Sequence, residues 1–420
     1  MKKHIWLVGI MAGLWMSCSP ISQKEVSEGQ IDVLPAFENL SELKVSHLGK
    51  SIRYVPLETT DSSLIGAGYE VHLLENAILV TYGSRGSAHC FLFDRETGKF
   101  LREIGHKGED PRGYSEAKAY VHPIRGHIYF PRTPDKLIKY SPNGEFLGEV
   151  LMPNGLSSGL YPLLTKDGML VYEGVAFNAN HQSQLYYLDE ERGKIADIAL
   201  PITRQSKEAK VEGIQAISVW KGGLGAYGLL GYTGVIEIGL KDGRQELNVF
   251  NYPAVWTMGK EYRFHEVFGD TIYHVKDKQL EPYRIFNLGE RRLSEEGHGK
   301  KEGYEDKLTI IYVMETPDLI YFQCAKNLYG DFICYNGLYR KSDGKVMMNE
   351  VKEAFVDDLT QFLPFAPVAH TEKGEFIGML TIEQIQEWQE KHSDMKLEGP
   401  LSALEGLADD ANPVVVIVEP

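Results

Sequence analysis

Four cysteines in 420 residues are too few for a disulfide scaffold, and no C-x-x-C pair or Cys/His set with zinc spacing occurs. Lys/Arg runs are equally scarce: 59 acidic residues against 44 basic ones leave a formal charge of −15. That balance excludes nucleic acid and an anionic membrane surface as partners. Beyond the first 16 residues no apolar run approaches the ~20 residues that span a bilayer. Nor does the body show the 10–15-residue helical patterns that alternate with strands in a parallel α/β sheet.

What is present begins with a targeting segment. Lys2, Lys3 and His4 precede an apolar run from Ile5 to Met16, which reads as a signal peptide over residues 1–17. The run ends in LWMSCSP and resembles the lipobox of bacterial lipoproteins, which implies acylation of Cys18 and anchoring at the cell envelope. Trp15 stands where that motif usually has leucine, so a plain secretory signal is the alternative. Residues 18–31 are polar and weakly patterned, as a tether should be, and residues 32–420 have the composition of a single folded domain.

A period runs through that domain. An apolar run, a polar turn ending in glycine and a second run recur with turn glycines at Gly98, Gly144, Gly193, Gly243, Gly289 and Gly344. Their spacing of 46 to 55 residues is that of four-stranded propeller blades. The lone strands IRYVPLE (Ile52 to Glu58) and PVVVIVE (Pro413 to Glu419) are placed to pair and close the ring. The fold class is therefore an all-β propeller of six blades, or seven if the closing strands and the hairpin VAHTEKGEFIGML form one of their own. Thr381 and Gln384 stand in capping-box spacing before Ile382, Ile385 and Trp388, so short C-terminal helices should pack on the outside or bottom. Cys324 and Cys334 flank a turn, where they either face each other as a disulfide or remain buried thiols.

Three stretches carry a resemblance: YVPLETTDSSLIG (Tyr54 to Gly66), FDRETGKFLREIGHKGEDPRGY (Phe93 to Tyr114) and DDANPVVVIVE (Asp409 to Glu419). With them the chain resembles the six-bladed propeller lipoproteins of Bacteroides-like bacteria, related in pattern to NHL-repeat propellers. In that family the glycine stretch reads I-G-x-x-G-x-G-P-G-E-Y. Here Asp110 and Arg112 replace two of those glycines, which weakens any ligand inference from the loop.

Catalytic motifs are decoys. GEDPRGYS (Gly108 to Ser115) approaches a P-loop, but Tyr114 takes the lysine position and a strand follows instead of a helix. GLSSG (Gly155 to Gly159) matches the nucleophile elbow without its strand-to-helix context. No H-E-x-x-H, calcium loop or Asp-box is present.

Propellers bind on the face where the connections between blades and the loops joining second to third strands open. The loops HKGEDPRGY, MGKEYRFH, EEGHGKKEGY, GSRGSAH, RTPDK and FNANHQSQ are assigned to that face. They would place Arg85, His106, Arg112, Tyr114, Arg132, Asn178, His181, Arg263 and His298 on one rim. A cationic, aromatic set suits an anionic or sugar-like ligand. The leading expectation is a non-catalytic envelope lipoprotein that binds a small molecule, glycan or envelope protein, with no cofactor. The alternative is a propeller lyase or hydrolase acting on a sugar or peptide-like substrate through rim histidines and axial calcium or zinc. A structural module of a larger envelope complex is the third.

Overall fold

The computed structural model describes residues 29–420 except 67, 84–87, 157–159, 175–182, 202–213, 221–233, 241–244, 251–253, 267–268, 299, 301 and 332; between 214 and 250 only strand backbone is described. The expected signal peptide and Cys18 thus lie outside the described residues. Gln30 and Ile31, at the end of the expected tether, already belong to a strand.

The fold is an all-β, six-bladed propeller. Its blades begin with the strands Glu70–Leu73, Tyr120–Val121, Leu160–Thr165, Val255–Met258, Leu308–Glu315 and Ala369–His370, and each continues as an antiparallel meander. First strands of neighbouring blades touch, which places them innermost. Strand alternation sends successive side chains to opposite blade faces. In blade two, Ile128 and Phe130 pack on Leu79 and Cys90 of blade one, while Tyr129 between them packs on Val171 and Tyr186 of blade three. Every blade therefore completes its neighbours' cores, and removing one would expose two apolar faces.

The sequence period reached the right blade number by partly wrong accounting. Gly98, Gly144, Gly193 and Gly344 do sit in left-handed positions in the turns between third and fourth strands, with φ from +68° to +83°. At Gly98 a Cβ would stand 1.9 Å from the Pro56 carbonyl oxygen, so only glycine fits. Gly289 instead lies in a 3-10 turn after blade four. That blade turns at Asp277 and Lys278, both with positive φ. Gly243 itself lies outside the described residues; the runs on either side of it belong to a three-stranded sheet (Ile214–Trp220, Gly234–Leu240, Gln245–Phe250) that is not a blade. Blade three packs directly on blade four through Leu170, Tyr172, Phe264 and Val275, so the ring closes without that sheet.

The sixth blade is composite. Ser51–Pro56 pairs antiparallel with Val414–Glu419, which pairs with Phe376–Leu380. Its faces pack on Tyr321 and Leu338 of blade five and on Val80 and Phe93 of blade one. The N-terminal segment adds a strap: Gln30–Asp32 runs parallel to the outer strand of blade four, and Val33–Glu38 forms a helix beside blade five. A second helix, Ile382–Lys391, carries the capping box of Thr381 and Gln384 and buries Ile382, Ile385 and Trp388 against Phe362 and its neighbours.

Cys324 and Cys334 are free thiols. Cys324 pairs with Tyr335 and Cys334 with Ala325, an offset of one residue. Their side chains therefore leave opposite faces of the blade, into different apolar clusters, and no disulfide forms.

Candidate functional site: rim loop and axis

The crossing from blade one to blade two, Ile104 to Tyr114, is a closed loop. Tyr114 N–H donates to the His106 carbonyl at 2.9 Å, and Gly113 N–H donates to that of Asp110 at 3.0 Å. A Cβ on Gly113 would meet the Gly108 carbonyl oxygen at 2.4 Å. Arg132, at the end of the second strand of blade two, donates to the carbonyls of Asp110, Gly113 and Glu109. The loop thus turns carbonyl oxygens towards a guanidinium, the opposite polarity to a phosphate cradle, whose N–H groups point inward.

The remaining candidates on this loop are also occupied by the fold. His106 Nε2 lies 2.5 Å from Asp110 Oδ2, and that contact holds the Asp110 carboxyl below its usual range. The Arg112 guanidinium sits 5.7 Å over the Phe146 ring on the outer strand of blade two, away from the axis. Tyr114 is fully buried, stacked on Phe130 at 4.6 Å, with its hydroxyl donating to the Ala88 carbonyl. It is a core residue between blades one and two, so its expected place on the rim is corrected.

Arg263 is a second correction. MGKEYRFH is not a crossing between blades; it spans the hairpin of the first two strands of blade four, and Arg263 is inside Glu261–His265 at 3% exposure. Its guanidinium packs 4.4 Å over Tyr283, meets His274 Nδ1 at 2.9 Å and pairs with Glu315 at 3.2 Å. Glu315, wholly buried at the end of the innermost strand of blade five, also accepts from Trp256 Nε1 at 3.1 Å and Lys341 Nζ at 2.7 Å. This is a charged joint between blades four and five.

His298, after the 3-10 turn Glu295–Gly297, has its Nδ1 3.2 Å from the Tyr329 hydroxyl. Arg85, Asn178 and His181 lie outside the described residues, as do residues 157–159 of the GLSSG stretch.

The structure brings a different set together at the axis. Glu70 and His72 project from the same side of the innermost strand of blade one, with His72 Nε2 4.0 Å from Glu70 Oε2. The Lys118 ammonium, just before the innermost strand of blade two, lies 5.5 Å over the Tyr120 ring and 5.5 Å over the Tyr161 ring of blade three. Burial pushes Lys118 down to about 8, partly opposed by the Glu70 and Glu116 carboxylates. Tyr312 of blade five also feels Glu70, so groups from three blades surround one carboxylate.

Burial keeps His72 neutral by lowering its imidazole, and its Nε2 is buried without a hydrogen-bond partner among the described residues. Among the described residues, no group of three or more His, Cys, Asp and Glu is arranged to hold a metal ion. Nor is any helix among them long and apolar enough to cross a membrane.

Sequence reasoning passed over this set because it looked for loops. The available signal was a polar residue at every second position of an innermost strand, Glu70 and His72 alternating with Val71 and Leu73, where burial on both faces predicts apolar residues.

One family model matches residues 28–419, nearly the whole chain: DUF4934, a domain of unknown function. The chain belongs to this family. Among solved structures it is similar to an exported protein of Bacteroides fragilis, with a TM-score of 0.52 and 15% identity over 90% of this chain and 97% of that one. A DUF4221 family member from Bacteroides vulgatus matches at a TM-score of 0.44 and 10% identity over 88% of this chain and 96% of the other. The RRP9 WD40 repeats match at 0.37 and 10% identity over 90% and 99%. At such identities the likeness of the Bacteroides fragilis protein supports the fold alone. No curated protein matches the sequence.

Proposed function

We propose that this DUF4934 protein is an exported, envelope-anchored propeller that binds a ligand at its axis. Export rests on the signal segment and is in keeping with the Bacteroides fragilis relative, described as a putative exported protein. Anchoring rests on Cys18 in its lipobox-like setting. One observation carries the binding reading: Glu70, His72, Lys118 and Tyr312 lie on or just before the innermost strands of three blades, with Lys118 and Tyr312 both within the influence of the Glu70 carboxylate. The His72 Nε2 is buried without a hydrogen-bond partner among the described residues, a costly state that a bound ligand would relieve.

The binding test is a panel of acidic and neutral sugars, small carboxylates and peptides, read by thermal shift and native mass spectrometry on the chain from Ser19 onward. Binding that His72→Phe abolishes supports the reading; binding indifferent to His72 overturns it. For the anchor, Cys18→Ala should move the protein from the membrane to the soluble fraction and remove incorporated palmitate label. An unchanged distribution would contradict lipidation.

A further inference from the structure

Resting on the binding reading, the axial groups also specify a ligand class. Lys118 is the cation of the set, and it is held over two aromatic faces in a poorly solvated position. A desolvated ammonium gains more from a carboxylate than an exposed one does, because the surroundings screen less. Its three N–H donors leave room for a ligand oxygen beside the protein contacts it already makes.

Around it stand groups suited to hydroxyls. The Glu70 carboxylate accepts hydrogen bonds, the neutral His72 imidazole offers Nε2, and the Tyr312 hydroxyl both donates and accepts. A purely apolar ligand would offer nothing to Glu70, His72 or Tyr312, and a bare carboxylate would engage Lys118 alone. We propose that the axial site takes a small hydroxylated carboxylate of the uronic-acid class, with its carboxylate on Lys118 and its hydroxyls on Glu70, His72 and Tyr312.

Protonation gives the inference a signature. The charged groups facing Lys118 are Glu70 from blade one and Glu116 from its own segment, with the Tyr120 and Tyr161 rings closing the remaining sides. The Lys118 ammonium titrates at about 8 in the free protein, and a carboxylate bound to it raises that value. Ligand and proton therefore bind together above that pH. Affinity should be flat below pH ~7 and fall about tenfold per pH unit above about 8.

The experiment is isothermal titration of galacturonate, glucuronate, galactose and acetate into the chain from Ser19 onward between pH 6 and 9.5. The uronates should bind at least ~10-fold more tightly than galactose and acetate, a ratio worth ~1.4 kcal/mol. Lys118→Met should erase that preference and the pH dependence together. Tyr312→Phe, which preserves shape, should weaken the uronates several-fold and leave acetate unchanged.

Equal binding of galactose and galacturonate, or a preference that survives Lys118→Met, overturns the proposal. So does failure of every sugar to bind. In that last case a peptide or other panel ligand lost in His72→Phe would leave the axial binding reading standing, while an empty panel would remove both.

Discussion

The loop at Gly105 to Ser115 and the cluster at the axis both hold cationic and aromatic side chains, but they use them differently. In the loop the candidate side chains are held by protein partners: Arg132 binds three carbonyls and His106 binds Asp110. At the axis Glu70, His72, Lys118 and Tyr312 lie on or beside innermost strands, and the buried His72 Nε2 has no hydrogen-bond partner among the described residues. The contrast teaches that residue type alone does not nominate a site. An arginine surrounded by carbonyl oxygens is a brace, whereas a lysine between rings beside a carboxylate is the group on which the proposed binding rests.

The sharpest way to break the contrast is to show that a supposed brace is dispensable. Arg263→Ala leaves Glu315 buried with one cation removed and should cost about 3–5 kcal/mol of unfolding free energy, as broken buried ion pairs do. Urea denaturation checks it, and a loss under 1 kcal/mol would reduce the joint to decoration.

A second effect comes from His265, 1% exposed in blade four, where burial pushes the imidazole down to about 4 from 6.5. The unfolded chain takes up a proton that the folded one refuses between those values. This contribution is therefore complete above pH 6.5 and is lost as pH falls towards 4, by about 2–3 kcal/mol. His265→Phe should flatten that part of the stability profile.

Arg132→Ala comes next. Removing three donors from partly exposed carbonyls should cost about 1–3 kcal/mol and raise amide exchange in residues 105–114. The smallest effect falls at the axis, where Lys118→Met should change stability by less than about 1 kcal/mol, since it removes a desolvated charge as well as its contacts. If Lys118→Met destabilised the fold as much as Arg263→Ala, Lys118 would be a brace too.

Much of the fold was legible because strand alternation and turn glycines are local. Gly98, Gly144, Gly193 and Gly344 announced four blades, each at a turn that needs a positive φ. The blade-four turn escaped because Asp277 and Lys278 adopt positive φ without glycine, and the run pattern on either side of Gly243 misled because its strands pair in a separate three-stranded sheet. The site was less legible because which face a side chain leaves depends on register. One residue of offset separates Cys324 from Cys334, and a loop boundary misplaced by one hairpin moved Arg263 from a strand to the rim. Glu70 and Lys118 are 48 positions apart, and only the packing of blade two on blade one makes them neighbours.

The most direct test of an axial site is a paired titration of galacturonate into Arg132→Ala and Lys118→Met at pH 7. The account predicts native-like affinity with Arg132→Ala, since the rim brace touches no ligand, and loss of binding with Lys118→Met. Loss with Arg132→Ala and retention with Lys118→Met would put the site back on the rim and contradict it.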